Sequence, residues 1–159
     1  MDIVHNFIAM DNKDIKKEII QICLKKQEQV VQTARHAVEE VQESANEEDQ
    51  TRDLYDSYRI QLLSKRDLLA GQYEKALQEK QTLEKLISRK SRDTVDVGSV
   101  VITDKQKLFI SIGLGKFIYK GETYFAISPK VPLFEVIRGL KKGDTYEFNG
   151  QQFTILDVF

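Results

Sequence analysis

Between residues 39 and 56 the chain carries eight carboxylates, Glu39, Glu40, Glu43, Glu47, Glu48, Asp49, Asp53 and Asp56, against one base, Arg52. Seven net negative charges in so short a stretch repel one another, and a cation or a partner would relieve the repulsion. Carboxylate oxygens are hard ligands, and Mg2+ often takes only one or two of them beside phosphate and water. Asp53 and Asp56 stand three residues apart, which places both on one face of a helix's first turn. The plainer explanation is that acids are common on solvated helix surfaces and favourable at helix starts, and both explanations stay open at this point.

Two different elements must position these acids. Residues 13–92 are rich in Lys, Glu, Gln, Leu and Ala, with Gly71 the one glycine, whereas seven of eight glycines, both prolines and ten of the fourteen Phe and Tyr residues lie beyond residue 94. Helix formers therefore dominate the first part, and turn formers with β-branched and aromatic residues the second. Val30, Ala34, Ala37, Val41 and Ala45 (or Ser44) recur at helical spacing. Tyr55, Leu62, Leu69, Ala76 and Leu83 recur every seven residues, with Tyr73 and Ile87 in the companion series and Arg59, Arg66 and Lys80 between them. That period predicts two helices packed along a narrow stripe, the long cations covering it with their methylene stems. Residues 44–53 hold no large apolar side chain and several capping types, so the expected shape is an antiparallel coiled-coil hairpin with arms 13–46 and 51–91 and an acidic tip near 44–56. Cys23, among Ile19, Ile20, Ile22 and Leu24, is expected to be a buried small apolar residue.

From residue 94 onward the pattern predicts a small antiparallel β domain with one short helix. Strands are expected at 99–103, 107–112, 116–119, 122–127, 145–148 and 153–158, with a helix at 133–138 launched by Pro129 and Pro132 and ended by Gly139. Lys120-Gly121 and Asn149-Gly150 are hairpin signals. The chain thus divides into 1–93 and 94–159, an α+β architecture. With 24 Lys+Arg against 25 Asp+Glu, it lacks the basic excess of a dedicated nucleic-acid binder. One cysteine and two histidines offer no disulfide framework and no zinc spacing, the apolar runs are too short for a membrane span, and the first residues are unlike a signal peptide. A cytoplasmic protein is expected.

The order hairpin, acidic tip, small β domain resembles the GreA/GreB family of bacterial transcript-cleavage factors, in particular a divergent Bacteroidetes group of short members. The motifs that carry the resemblance are Tyr124-Phe125-Ala126-Ile127-Ser128-Pro129, then Pro132-Leu133, then Gly139-Leu140-Lys141-Lys142-Gly143-Asp144. Such a resemblance implies an FKBP-like C-terminal domain that docks on RNA polymerase at the rim of its secondary channel. It places Ser128, Pro129, Pro132, Leu133, Gly139, Lys141, Lys142 and Asp144 in the docking domain. It also implies a coiled coil that enters the channel, where tip carboxylates help to hold the polymerase's second Mg2+ beside the 3′ end of backtracked RNA. The family's tip pattern Asp-x-x-Glu is met here by Asp53 and Asp56, with Asp for Glu and Arg52 where the family has Gly; an ungapped extension of the first helix points instead to Glu48 and Asp49. The implied protein is a monomeric accessory factor, not an enzyme, with no DNA or membrane contact of its own. A channel-binding regulator without cleavage activity is the alternative, because it differs at the tip alone. An FKBP-like fold also raises prolyl isomerase activity. Phe109, Phe117, Tyr124 and Phe125 would have to line its pocket, but strand alternation assigns them to the core.

Overall fold

The computed structural model describes residues 11–48 and 56–159, with the backbone alone at Glu48 and Asp56. Two long helices, α1 (Asn12–Glu48) and α2 (Asp56–Leu86), precede six strands and a short third helix. The strands are β1 (Val100–Thr103), β2 (Lys107–Ile110), β3 (Gly115–Tyr119), β4 (Glu122–Ile127), β5 (Thr145–Phe148) and β6 (Gln151–Val158), and α3 (Pro132–Ile137) lies between β4 and β5. The compact units cut the chain elsewhere than its compositional break: one comprises residues 25–81, the other residues up to 24 together with 82–159.

In the first unit α1 and α2 form an antiparallel pair, and its register is written in polar bonds. Glu28 pairs with Lys80 at 2.7 Å, and Arg66 donates to the Gln42 side chain at 3.0 Å. The two contacts are fourteen residues apart on each helix and run in opposite directions, so one register holds over two heptads. Gln27, 1% exposed, donates its amide to the Ala76 carbonyl at 2.9 Å. The cations that interrupt the α2 stripe therefore do more than cover it: at Arg66 and Lys80 they select the partner register. On α1 the seam runs through Val31 rather than Val30, which is 44% exposed. A helix turns 3.6 residues at a time, and the step of four from buried Gln27 lands on Val31. Ile87 likewise falls outside the core at 42% exposure, because α2 ends at Leu86, which is buried in its place. The second arm thus stops short of residue 91.

In the second unit the sheet order is β3-β4-β2-β1-β6-β5. The pairs are antiparallel except β2 with β4, which run parallel with Leu108 opposite Phe125. Turn chemistry fixes which strands are hairpin neighbours. Lys120 and Asn149 take φ of 47° and 51° ahead of their glycines, the positive values a two-residue hairpin turn demands. It does not fix strand order, and the β3–β4 hairpin folds back so that β4, not β3, lies against β2. At the centre, β1 and β2 are buried on both faces: Val100, Val101, Leu108, Phe109 and Ile110 are at most 1% exposed. One face packs Val100, Phe109, Phe117, Tyr119, Tyr124 and Ala126 against Ile19, Ile20 and Cys23 of α1 and Leu83 and Leu86 of α2. The other packs Val101, Leu108, Ile110 and Ile155 against Phe134 and Ile137 of α3. Tyr119 donates its hydroxyl to Glu18, and burial together with that bond holds its phenol well above the usual range.

Gly98 shows how closely the helix approaches the sheet. Its φ is +92°, and a Cβ added there would lie 3.1 Å from Leu86 Cδ2. Gly98→Ala is expected to lower stability by about 1–2 kcal/mol or more, read as a drop in the urea midpoint at unchanged slope.

Candidate docking segment and acidic stretch

The acids at the end of α1 occupy the wrong end of a helix for stability. Unsatisfied carbonyls make a C-terminus the negative pole of the helix dipole, so nearby carboxylates are disfavoured. The last turn of α1, which ends at Glu48, contains no basic residue to offset them. Glu39 is matched by Arg35 at 2.9 Å, whereas Glu40, Glu43 and Glu47 are exposed and have no cation partner among the described residues. Helix-start preference accounts for Asp56, the first residue of α2, and leaves the α1 acids unexplained.

Asp49 and Asp53 lie outside the described residues, as do the side chains of Glu48 and Asp56, so the tip carboxylates chosen from sequence receive no geometry here. Among the described residues no three His, Cys, Asp or Glu side chains converge as a metal site. Tyr58, in the first turn of α2, is 49% exposed.

The segment Ser128–Asp144 is built as turn, helix, turn. Ser128 accepts from the Lys130 amide through Oγ at 3.2 Å and from the Val131 amide through its carbonyl at 3.2 Å. Pro132 opens α3, where a missing N–H removes no helical bond, and extended Val131 precedes it as proline requires. Phe134 and Ile137 anchor the helix in the core. Gly139, at φ +79°, ends it, donates to the Val95 carbonyl at 2.8 Å and lets Leu140 accept from Val95 at 2.8 Å. Asp144 closes the second turn by accepting from the Lys141 amide at 2.9 Å.

The eight residues chosen from sequence therefore divide by role. Ser128, Gly139 and Asp144 shape the backbone, and Pro129 and Leu133 are half-buried beside them. Pro132, Lys141 and Lys142 are exposed on the surface the segment makes. The same segment exposes Val136 (41%) and Arg138, whose guanidinium lies over the Phe134 ring at 5.9 Å. Sequence inspection missed these two, although Val136 is an apolar residue on the face of α3 opposite buried Phe134 and Ile137.

Phe125 departs from its core assignment. Phe109, Phe117 and Tyr124 are buried, but Phe125 is 38% exposed. Adjacent strand residues point to opposite faces, so burying Tyr124 turns Phe125 outward. It lies diagonally across the hairpin from Ile118, itself 53% exposed. The buried aromatics pack against one another, Phe117 stacking on Tyr124 at 5.4 Å.

No family model and no curated protein matches the sequence. Among solved structures, the chain is similar to GreA factor homolog 1 (Gfh1) of Thermus thermophilus, at 15% identity and a TM-score of 0.35, over 90% of this chain and 94% of that one. A second structure, of the transcription factor Gfh1, gives 16% identity and a TM-score of 0.33 over 89% and 92% of the two chains. Among the described residues no helix is long and apolar enough to cross a membrane.

Proposed function

We propose that this chain is a cytoplasmic accessory factor of RNA polymerase. On this proposal it docks through the Ser128–Asp144 surface and the exposed β3–β4 face, and its helical hairpin carries the acidic stretch into the secondary channel. There it stimulates cleavage of backtracked RNA. The observation that carries this reading is the run of carboxylates kept where α1 ends, a position that helix energetics disfavours. Support comes also from the motifs around Ser128, Pro132, Gly139 and Asp144, whose resemblance to the GreA/GreB segment coincides with one continuous turn–helix–turn.

The donor set at the tip is all carboxylate oxygen, which suits Mg2+. When bound, such a cation acidifies water and stabilises charge on a phosphoryl oxygen. Asp53 and Asp56, with Glu48 and Asp49 in reserve, supply the negative potential that retains a cation held mainly by polymerase. The bond-breaking groups belong to the polymerase, so the chain is not itself an enzyme. It acts as a monomer: the seam's polar groups Gln27, Arg66 and Lys80 all find partners within the chain.

A second reading, a channel-binding regulator without cleavage activity, is favoured by Arg52 beside Asp53 and by the short Asp56 side chain. Stalled, backtracked elongation complexes of the cognate polymerase separate the two. Addition of the protein is expected to release short 3′ fragments and to restart the complexes. Polymerase binding without fragments selects the regulator, and absence of binding overturns both.

A further inference from the structure

A cleft of about 850 Å3 lies beside the first turns of α1, wholly within the unit that contains the sheet. Lys13, Lys16 and Lys17 line it from α1, and Arg89, Lys90 and Arg92 from the segment after α2. Asp11, Asp93 and Asp157 are the carboxylates that oppose these six cations on its wall. Behind them, Asp96 is shared between two guanidinium groups, Arg92 at 2.9 Å and Arg89 at 3.5 Å. Asp157 accepts from the Val158 amide.

Lys16 separates this cleft from an ordinary basic surface. It is 6% exposed, and among the described residues it has neither a hydrogen bond nor an ion pair. Burial, then the nearby Arg89 charge, push its ammonium below the usual lysine range. A largely buried lysine whose ammonium faces a second cation is favoured by an anion placed between them. Two other features converge on the same space. The N-terminus of the 37-residue α1 brings the positive end of its dipole there, although Asp11 already occupies the first-turn amides, its carbonyl accepting from Asp14 at 2.8 Å and Ile15 at 3.1 Å and its carboxylate from Lys13 at 3.5 Å. Ile20, Leu86 and Phe159 add apolar walls. The volume lies within the range of small-ligand sites, about 300–1,000 Å3.

We propose that this cleft binds a nucleoside polyphosphate, its phosphates taken by Lys13, Lys16 and Arg89 and its base by the apolar wall. A polyphosphate offers more oxygens and more negative charge to several convergent cations than a carboxylate does, and the apolar area beside them favours a phosphate that carries a base over inorganic polyphosphate. The inference rests on the sheet-bearing unit alone and is independent of the polymerase reading.

Calorimetric titration of the full chain with GTP, ATP and inorganic tripolyphosphate tests it. Saturable binding of a nucleotide at submillimolar concentration is expected, weakening as salt rises, with tripolyphosphate binding less tightly. Lys16→Met and Arg89→Met should each weaken it by about tenfold or more. Lys16→Met removes a cation that partial burial and Arg89 both disfavour, so its melting temperature should hold or rise, and lost binding then reports the site. Arg89→Met serves the same purpose should Lys16→Met fold poorly. Equal affinity for tripolyphosphate overturns the nucleoside assignment. Absence of saturable binding, or affinity unchanged in both variants, overturns the site.

Discussion

Leu83→Ala is expected to lower the unfolding free energy by about 2–5 kcal/mol, among the largest losses any single truncation in this chain would give. Leu83 is fully buried. It is the last residue of the heptad series on α2, yet it belongs to the sheet's core cluster, together with Ile19, Ile20, Cys23, Val100 and Phe109. Those neighbours come from α1, β1 and β2, three separately positioned elements, so the cavity cannot close by moving one of them, and poor collapse places a site at the upper end of the range. Far-UV circular dichroism in urea would give the size of the loss. Near-UV signal from Tyr119 and Tyr124, in the same cluster, would show whether the sheet loses its packing in the same transition. Val30→Ala, at a seam position the structure leaves 44% exposed, should change stability by no more than about 0.5 kcal/mol. Similar losses in the two variants would remove the ends of the long helices from the core of the sheet.

The contrast between Leu83 and Val30 also shows what the amino-acid pattern could and could not convey. Leu62, Leu69, Ala76 and Leu83 repeat every seven residues, and a strict repeat marks a seam whatever it packs against. On α1 small residues occur on neighbouring positions, Val30 beside Val31 and Ala37 beside Val38, so composition alone leaves the stripe free to rotate by one residue. Buried Gln27 settles it, and a glutamine carries no hydropathy signal of burial. The hairpins at Lys120-Gly121 and Asn149-Gly150 were readable because their turn geometry is local. The parallel pairing of β2 with β4 was not, since strand order depends on which faces the helices cover. Phe125 misled because its alternation with Tyr124 permits either residue to be the inward one. Lys16 was invisible for a related reason: lysine on a helix reads as solvated, and only three-dimensional packing reveals it as buried. The docking segment was legible as a motif because proline, glycine and aspartate there serve backbone geometry, which is written locally. The tip acids were legible as charge, not as geometry.

At the tip, stability and function are expected to move in opposite directions. Glu47 and Glu48 close α1, at the negative end of its dipole and with no basic residue in the last turn. Glu47→Gln with Glu48→Gln should therefore stabilise the chain, each by roughly 0.3–1 kcal/mol at low ionic strength, and added salt should erase the gain. Asp56 begins α2, where the dipole favours an acid, and Asp56→Asn should lose a similar amount. For cleavage of backtracked RNA the ranking follows the cation instead. Asp53→Asn and Asp56→Asn should each slow it by about 10–100-fold, as removing a group that supports a bound metal commonly does, while polymerase affinity is unchanged. Raised Mg2+ should recover part of that rate, because weakened retention is offset by mass action. Arg52→Gly removes a cation from beside Asp53 and should raise cleavage at limiting Mg2+. Stability effects alone would make the glutamine pair more active and Asp56→Asn slightly less so, at every Mg2+ concentration. A loss confined to Asp53 and Asp56 and partly rescued by Mg2+ would therefore identify a tip selected for holding charge at the expense of stability. Unchanged cleavage in Asp53→Asn and Asp56→Asn, with slowing in the glutamine pair, would move the cation to the acids that close α1, Glu48 foremost.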